Sequence, residues 1–233
     1  MTHGETEKSE SSVAEAFDAS CPRVPSAAGA WQNCFWSVVA PHYDAFVRRG
    51  CPEYAIVLQR IIHDTGVADR VLDVGTGTGL VAFALAGTVR SVTAIDACPA
   101  MIAVAERKQD DLGVTNVDFS VQSAYALAFE SATFDAAVTC NVLHVINEPF
   151  EALLEIRRVL KPGGVLIAPT YCHGATPTSL SRSWALALIG FCVRRRFRVS
   201  DLCRLIESAG LPVVTVEVVA GWIPLAYVLA RKP

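Results

Sequence analysis

Three glycines spaced two apart, Gly75, Gly77 and Gly79, follow the apolar run Val71, Leu72 and Val74 and precede the apolar stretch Leu80 to Ala86. Asp73 stands two residues before the first of them. A strand, a glycine turn and a helix start in that order leave backbone N–H groups facing a ligand with no side chain in the way. A second acid, Asp96, closes the next apolar run, Ser91 to Ile95, seventeen residues beyond Gly79. A carboxylate at that strand end can accept hydrogen bonds from both hydroxyls of a ribose, and bonds to a charged acceptor are shorter and stronger than neutral ones. The pair points to a ligand containing a nucleoside. The dinucleotide spacing G-x-G-x-x-G requires glycine or alanine at position 80, where this chain has Leu80, and 70 residues precede Val71. Both facts argue against a nicotinamide oxidoreductase.

Other reactive side chains fall near strand ends. His144 follows the fourth expected strand, and its ordinary pKa suits a general base near neutral pH. Tyr171 and His173, past the fifth strand, are second-rank candidates. Cys140 and Asn141 are placed to line a site through backbone groups. Cys98, beside a helix start, reads as a small buried filler rather than an activated thiol.

The elements that must hold these residues alternate from Arg70 onward. Strands are expected at Val71–Val74, Ser91–Ile95, Val117–Val121, Phe134–Thr139 and Val165–Thr170, and helices at Gly79–Ala86, Pro99–Lys108 and Phe150–Leu160. Alternation of this kind means a parallel sheet with helices on both faces, and ligands in such sheets sit at the carboxyl ends of the strands where the strand order reverses. A helix at Ser200–Ala209, stopped by Gly210, leads to strands at Val213–Val219 and Ile223–Ala230. Upstream, residues 1–27 read as a loosely attached polar tail. Trp31 to Tyr43 reads as an aromatic helix that either packs on the core or lies over the site, and Glu53 to Asp64 as an amphipathic helix ended by Gly66. The insertion 171–198 contains an apolar helix, Ser183 to Val193, followed by Arg194, Arg195, Arg196 and Arg198.

A chain of 233 residues fits one α/β domain. Its composition, 52% hydrophobic and 18% charged, suits a strongly buried sheet, an apolar cleft or a partner surface, and leaves room for a homodimer. A net charge of −3 gives no pull towards nucleic acid, and no basic groove interleaved with aromatics is present. No uninterrupted apolar run reaches the roughly 18 residues of a membrane span. The start, MTHGETEKSESS, lacks the apolar centre of a secretory signal. Eight cysteines with no Cys-x-x-Cys pair read as reduced thiols in a cytoplasmic protein, with no metal site. The Arg cluster reads first as a solvated turn; contact with an anionic acceptor or membrane surface is the lesser alternative.

With these residues in view, the chain resembles the class I S-adenosylmethionine-dependent methyltransferases. DVGTGTG is similar to the family's first motif, and IDACPAMIAVAERK at 95–108 to the second. FSVQSAYALAF at 119–129 is similar to the third, FDAAVTCNVLHVI at 134–146 to the fourth strand and its loop, and RVLKPGGVLIAPT at 158–170 to the Leu-Lys-Pro-Gly-Gly turn. The similarity runs from about 43 to 231 and is greatest to the small-molecule branch that includes the quinone methyltransferases. It implies a Rossmann-like α/β fold of seven mostly parallel strands with an antiparallel C-terminal hairpin. It divides 28–233 into one methyltransferase domain with an N-terminal helical lid, 28–66, and a cap, 171–198.

The resemblance implies S-adenosylmethionine as cofactor, with Gly75, Thr76, Gly77 and Gly79 against its amino-acid end, Asp73 towards its ammonium and Tyr43 closing over its carboxylate. It implies Asp96 and Ala97 at the ribose, and Met101 and Ala124 at the adenine. Cys140 falls at the loop after the fourth strand. Where the family carries Gly-Asp-Ala, this chain has Gln122-Ser123-Ala124, so Ser123 would replace a charged acceptor for the adenine amino group with a hydroxyl. The expected activity is methyl transfer to a small, apolar acceptor, with His144 as the candidate base. The alternative is a cofactor-binding regulatory or assembly protein that no longer catalyses.

Overall fold

The computed structural model describes residues 35–66, 68–188 and 193–233. The proposed tail 1–27, the start of the aromatic segment and the end of the cap helix lie outside the described residues.

A helical segment at 35–39 and a 3₁₀ turn at Ala40–His42 lead into α1 (Tyr43–Gly50) and α2 (Tyr54–Thr65). The alternating part follows as β1 (Arg70–Val74), α3 (Leu80–Ala86), β2 (Ser91–Asp96), α4 (Pro99–Leu112), β3 (Val117–Val121), β4 (Phe134–Val138), α5 (Pro149–Val159) and β5 (Leu160–Ile167). The chain closes with β6 (Thr170–Tyr171), α6 (Pro177–Leu188), α7 (Val199–Ser208), β7 (Val213–Val219) and β8 (Leu225–Arg231). The strands form one sheet in the order β3-β2-β1-β4-β5-β8-β6, with β7 pairing β8 at the edge. The ladder from β3 to β5 is parallel, while β8 runs antiparallel to β5, β6 and β7. Strand order reverses between β1 and β4, where crossover connections leave in opposite directions and a crevice opens at the strand ends.

Because helices cover both faces, β1 is buried residue after residue. Leu72 and Val74 pack with Leu153 and Ile156 of α5 and Leu202 and Ile206 of α7. Val71, on the opposite face, packs with Val57 and Ile61 of α2 and Val81 and Leu85 of α3. Helix boundaries follow local chemistry. Pro99 and Pro149 open α4 and α5, where a missing N–H costs nothing. Helix α4 runs past the expected Lys108 and stops at Gly113, which adopts a left-handed φ of 66°.

Two expectations are corrected. Eight strands are present rather than seven, because the strand expected at Val165–Thr170 is split. Its two halves keep one register on β8, with Ile167 opposite Leu229 and Thr170 opposite Ala226. Pro169 lies between them and has no N–H to give the ladder. The ladder therefore breaks there, and the second half counts as β6. The cap helix begins at Pro177, not Ser183. Thr176 and Ser179 form a reciprocal cap at its start: Ser179 N donates to Thr176 Oγ1 at 3.0 Å, and Thr176 N to Ser179 Oγ at 2.9 Å. At the sheet edge, β7 exposes Val214, Val216 and Val218.

Candidate active site

The crevice at the β1–β4 reversal holds a cleft of about 280 Å³, close to the lower bound for small-molecule sites. The glycine turn forms one wall. The N–H groups of Gly75 and Thr76 both donate to the carbonyl of Ile95, at 2.8 and 2.9 Å, which pins the turn to the end of β2. Gly75 has a φ of 73°, and a Cβ there would fall 2.3 Å from Val142 Cγ2. Only glycine lets the loop after β4 approach the turn so closely.

Asp96 stands at the mouth of β2. Its Oδ2 accepts from Gly77 N at 2.9 Å and its Oδ1 from Cys98 N at 2.8 Å. Burial raises its carboxyl above the ordinary range, while these N–H groups and that of Ala97 hold it down. A carboxylate has about four lone-pair directions, so those facing the cleft remain able to receive hydroxyl donors. Asp73 has a different setting. It is buried beneath the turn and accepts from Thr76 Oγ1 at 2.7 Å, with the Ala82 N–H as a further donor. Burial pushes its carboxyl up to about 7. Asp73 and Thr76 therefore brace the turn from behind, and Gly79 packs against Phe83 and Phe119 at the start of α3. None of these three borders the cleft.

The other walls come from three elements. Trp36 and Tyr43 of the N-terminal segment stack edge to face, 6.1 Å apart, and pack on Met101 of α4 and Cys98 just before it. After β3, Gln122, Ser123, Ala124 and Tyr125 border the cleft. Ser123 Oγ accepts from Tyr125 N at 3.2 Å, and Gln122 bridges Ser120 Oγ and Ala128 N. After β4 come Cys140, Asn141, Val142, Val145, Ile146 and Asn147. Asn141 adopts a φ of 60°, and its N–H donates to the Pro169 carbonyl at 2.7 Å. The Tyr125 hydroxyl accepts from Asn147 N and Glu148 N, clipping this loop to the one after β3.

The structure thus brings Tyr43, Gly75, Gly77, Asp96, Ala97, Met101, Ser123, Ala124 and Cys140 together around one cleft. It does not bring His144 there. That side chain is 1% exposed and turned inward against Tyr171 and His173, with ring centroids 6.1 and 5.1 Å away. Burial and the neighbouring His173 hold its pKa well below the usual histidine range. His144, expected as the candidate base, does not border the cleft in this structure, and its burial favours the neutral imidazole. Its backbone carbonyl instead accepts from Arg194 N and Arg195 N. In the arginine cluster, Arg195 and Arg198 are exposed, as a solvated turn expects, while Arg194 and Arg196 are half-buried. Arg196 stacks on Trp184 at 4.0 Å and donates to Ser183, and Arg195 donates to the Asn147 carbonyl. Burial pushes the Cys140 thiol up to about 12, which favours the protonated form. Sequence reasoning missed Trp36, Gln122, Tyr125 and Asn147 as lining residues. The aromatic density of 31–43 was the one available signal for Trp36.

Among the described residues, no group of three His, Cys, Asp or Glu could hold a metal ion, and no helix is long and apolar enough to cross a membrane. The arrangement is an apolar slot with a carboxylate, amides and a hydroxyl set at strand ends. It can seat a nucleoside and the group attached to its 5′ end.

Comparison with known proteins agrees with this geometry. Residues 72–168 match the family model of a methyltransferase domain. The chain is 38% identical over 104 residues to a demethylmenaquinone methyltransferase of Renibacterium salmoninarum, covering 45% of this chain and 42% of that one. It is 38% identical over 122 residues to a ubiquinone biosynthesis O-methyltransferase of Xanthomonas axonopodis pv. citri, covering 52% of this chain and 48% of that one. The matched stretch spans less than half the length of either relative. A SAM-dependent methyltransferase from Aquifex aeolicus has the same fold, with a TM-score of 0.62 at 24% identity, covering 76% of this chain and 89% of that one.

Proposed function

We propose that this chain, whose residues 72–168 match the family model of a methyltransferase domain, transfers a methyl group from S-adenosylmethionine to a small, apolar acceptor by in-line displacement. The observation that carries the reading is Asp96, a carboxylate fixed by two backbone N–H groups at the mouth of β2, facing a cleft at the sheet's reversal point. The residues present fit the cofactor. Asp96 and Ala97 take the ribose, Met101 and Ala124 flank the adenine, and Ser123 and Gln122 offer neutral polar groups to its edge. Gly75 and Gly77 of the turn take the amino-acid end, with Asp73, Thr76 and Gly79 holding the turn in shape and Tyr43 covering it. Cys140 and Asn141 border the reacting end.

The bound sulfonium supplies a methyl group that is already activated. The chain's task is alignment, which can contribute on the order of 7–11 kcal/mol by proximity alone. Among the described residues, no histidine or lysine borders the cleft, which supports an acceptor that reacts in the nucleophilic form in which it arrives. The relatives named for demethylmenaquinone and ubiquinone biosynthesis support an acceptor with a quinone-type ring. The described cysteines are thiols, which supports a cytoplasmic setting. The net charge of −3 supports a small molecule over nucleic acid.

Isothermal titration with S-adenosylhomocysteine tests the reading. The chain should bind it, and Asp96→Ala should weaken binding about a hundredfold, the loss of two charge-assisted bonds. Failure to bind, or unchanged affinity in Asp96→Ala, removes the proposal.

A further inference from the structure

Resting on the reading that the cleft holds the cofactor, we propose that Asp44 and Lys108 are positioning residues that latch the N-terminal segment shut over the glycine turn. Lys108 Nζ, on α4, donates to Asp44 Oδ2 at 2.6 Å and to the Thr78 carbonyl at 2.8 Å. Thr78 Oγ1 donates to the other oxygen, Asp44 Oδ1, at 2.5 Å. Both oxygens of one carboxylate are thus engaged, one by an ammonium and one by a hydroxyl of the glycine turn that is itself fully buried. The same ammonium lies 5.2 Å from the centre of the Phe83 ring, on α3. Four elements meet at this joint: α1, the turn, α3 and α4.

What the joint positions is the residue beside it. Tyr43 immediately precedes Asp44, lines the cleft, and brings its ring within 3.9 Å of where a Gly77 Cβ would stand. The rest of the segment is held by apolar packing of Ala40, Trp36 and Tyr43 on Cys98 and Met101, which is not directional, and by a weak contact of Ser37 Oγ with Cys98 Sγ at 3.5 Å. The Asp44 carboxylate, by contrast, has its two donors in fixed places and so sets where α1 starts and where Tyr43 points. An ordinary surface ion pair contributes little. This one shares its charges with a backbone carbonyl and a buried hydroxyl, both on the segment that contacts the cofactor.

Opening the latch lowers the fraction of chains whose segment is closed. Apparent affinity falls by that fraction, and the bound ligand escapes faster. The experiment is calorimetric and stopped-flow binding of S-adenosylhomocysteine to the full chain and to Asp44→Asn, Lys108→Met, the double variant and Lys108→Arg. Each single variant should bind roughly tenfold more weakly, with the dissociation rate carrying the change. The double variant should be no weaker than the worse single, since one latch can be lost only once. Lys108→Arg should retain most of the affinity, and ligand-free melting temperatures should stay within about 2 °C of wild type. Wild-type affinity and dissociation rate in the single variants overturn the proposal. So do additive losses in the double variant, or a loss of affinity that only tracks a lowered melting temperature. If the unsubstituted chain does not bind the probe at all, it is the proposed function that fails, and the two failures are distinguishable.

Discussion

Two acids at neighbouring strand ends have opposite duties. Asp96 keeps acceptor capacity toward the cleft, whereas Asp73 is closed off beneath the turn by Thr76 and the start of α3. Their spacing from the glycines marks both as important but does not say which one faces outward; only the direction of each side chain does. His144 shows the same limit. It lies between Leu143 and Val145 in a loop, where neither a helical nor a strand period tells which side meets the cleft. The structure turns it to His173 instead. Burial, with Arg196 nearby, lowers the pKa of His173 to about 4. The unfolded chain takes up this proton near pH 6.5, and the folded chain does not until near 4. Stability is therefore unaffected above 6.5 and falls as pH drops through that window, by on the order of 3 kcal/mol for this group. Urea titrations at pH 7 and pH 4.5 should show wild type losing more stability on acidification than His173→Gln, whose side chain does not titrate. Equal losses would show that His173 is not buried in its neutral form.

At the scale of elements, the site is made of loops clipped to one another. The Tyr125 hydroxyl receives the N–H groups of Asn147 and Glu148 and ties the loop after β3 to the loop after β4. Tyr125→Phe leaves both donors to water and should cost about 1–2 kcal/mol in urea unfolding, with S-adenosylhomocysteine bound several-fold more weakly. The turn itself is less tolerant. Gly75→Ala sets a methyl against Val142 at a left-handed φ, and should cost about 1–3 kcal/mol and most of the binding. The strands, the glycine turn and Asp96 were legible in the sequence because each leaves a period or a spacing. Tyr125, Gln122 and Asn147 were not, since they reach the cleft through irregular loops. The pairing of Asp44 with Lys108, 64 residues apart, has no local signature. The strand break at Pro169 could have been read, because a proline cannot donate to a central ladder. So could the start of α6 at Thr176-Pro177-Thr178-Ser179, which carries a cap and a first-turn proline.

Over the whole molecule, the central parallel strands are enclosed and the sheet ends in two edge strands, β3 and β7. Edge strand β7 presents Val214, Val216 and Val218 to solvent, and its one acid, Glu217, is already paired with Arg60. Unprotected apolar edges invite pairing with another chain. Self-association through this edge would be reduced in light scattering by Val216→Lys, with the melting temperature within about 3 °C of wild type; association that the substitution leaves unchanged, or that the unsubstituted chain does not show, rules this edge out. At the sheet's reversal point, the glycine turn and Asp96 are braced in part by main-chain groups, besides the side chains of Asp73 and Thr76. Ile95 offers its carbonyl to the turn, and Gly77 and Cys98 offer their N–H groups to Asp96. Main-chain bonds persist whatever side chain a position carries. Residues 95, 97 and 98 are therefore open to evolutionary drift within limits of size, while the cradle they form keeps its shape. The side chains that line the cleft, from Trp36 and Tyr43 to Val145 and Asn147, can then change without disturbing that cradle.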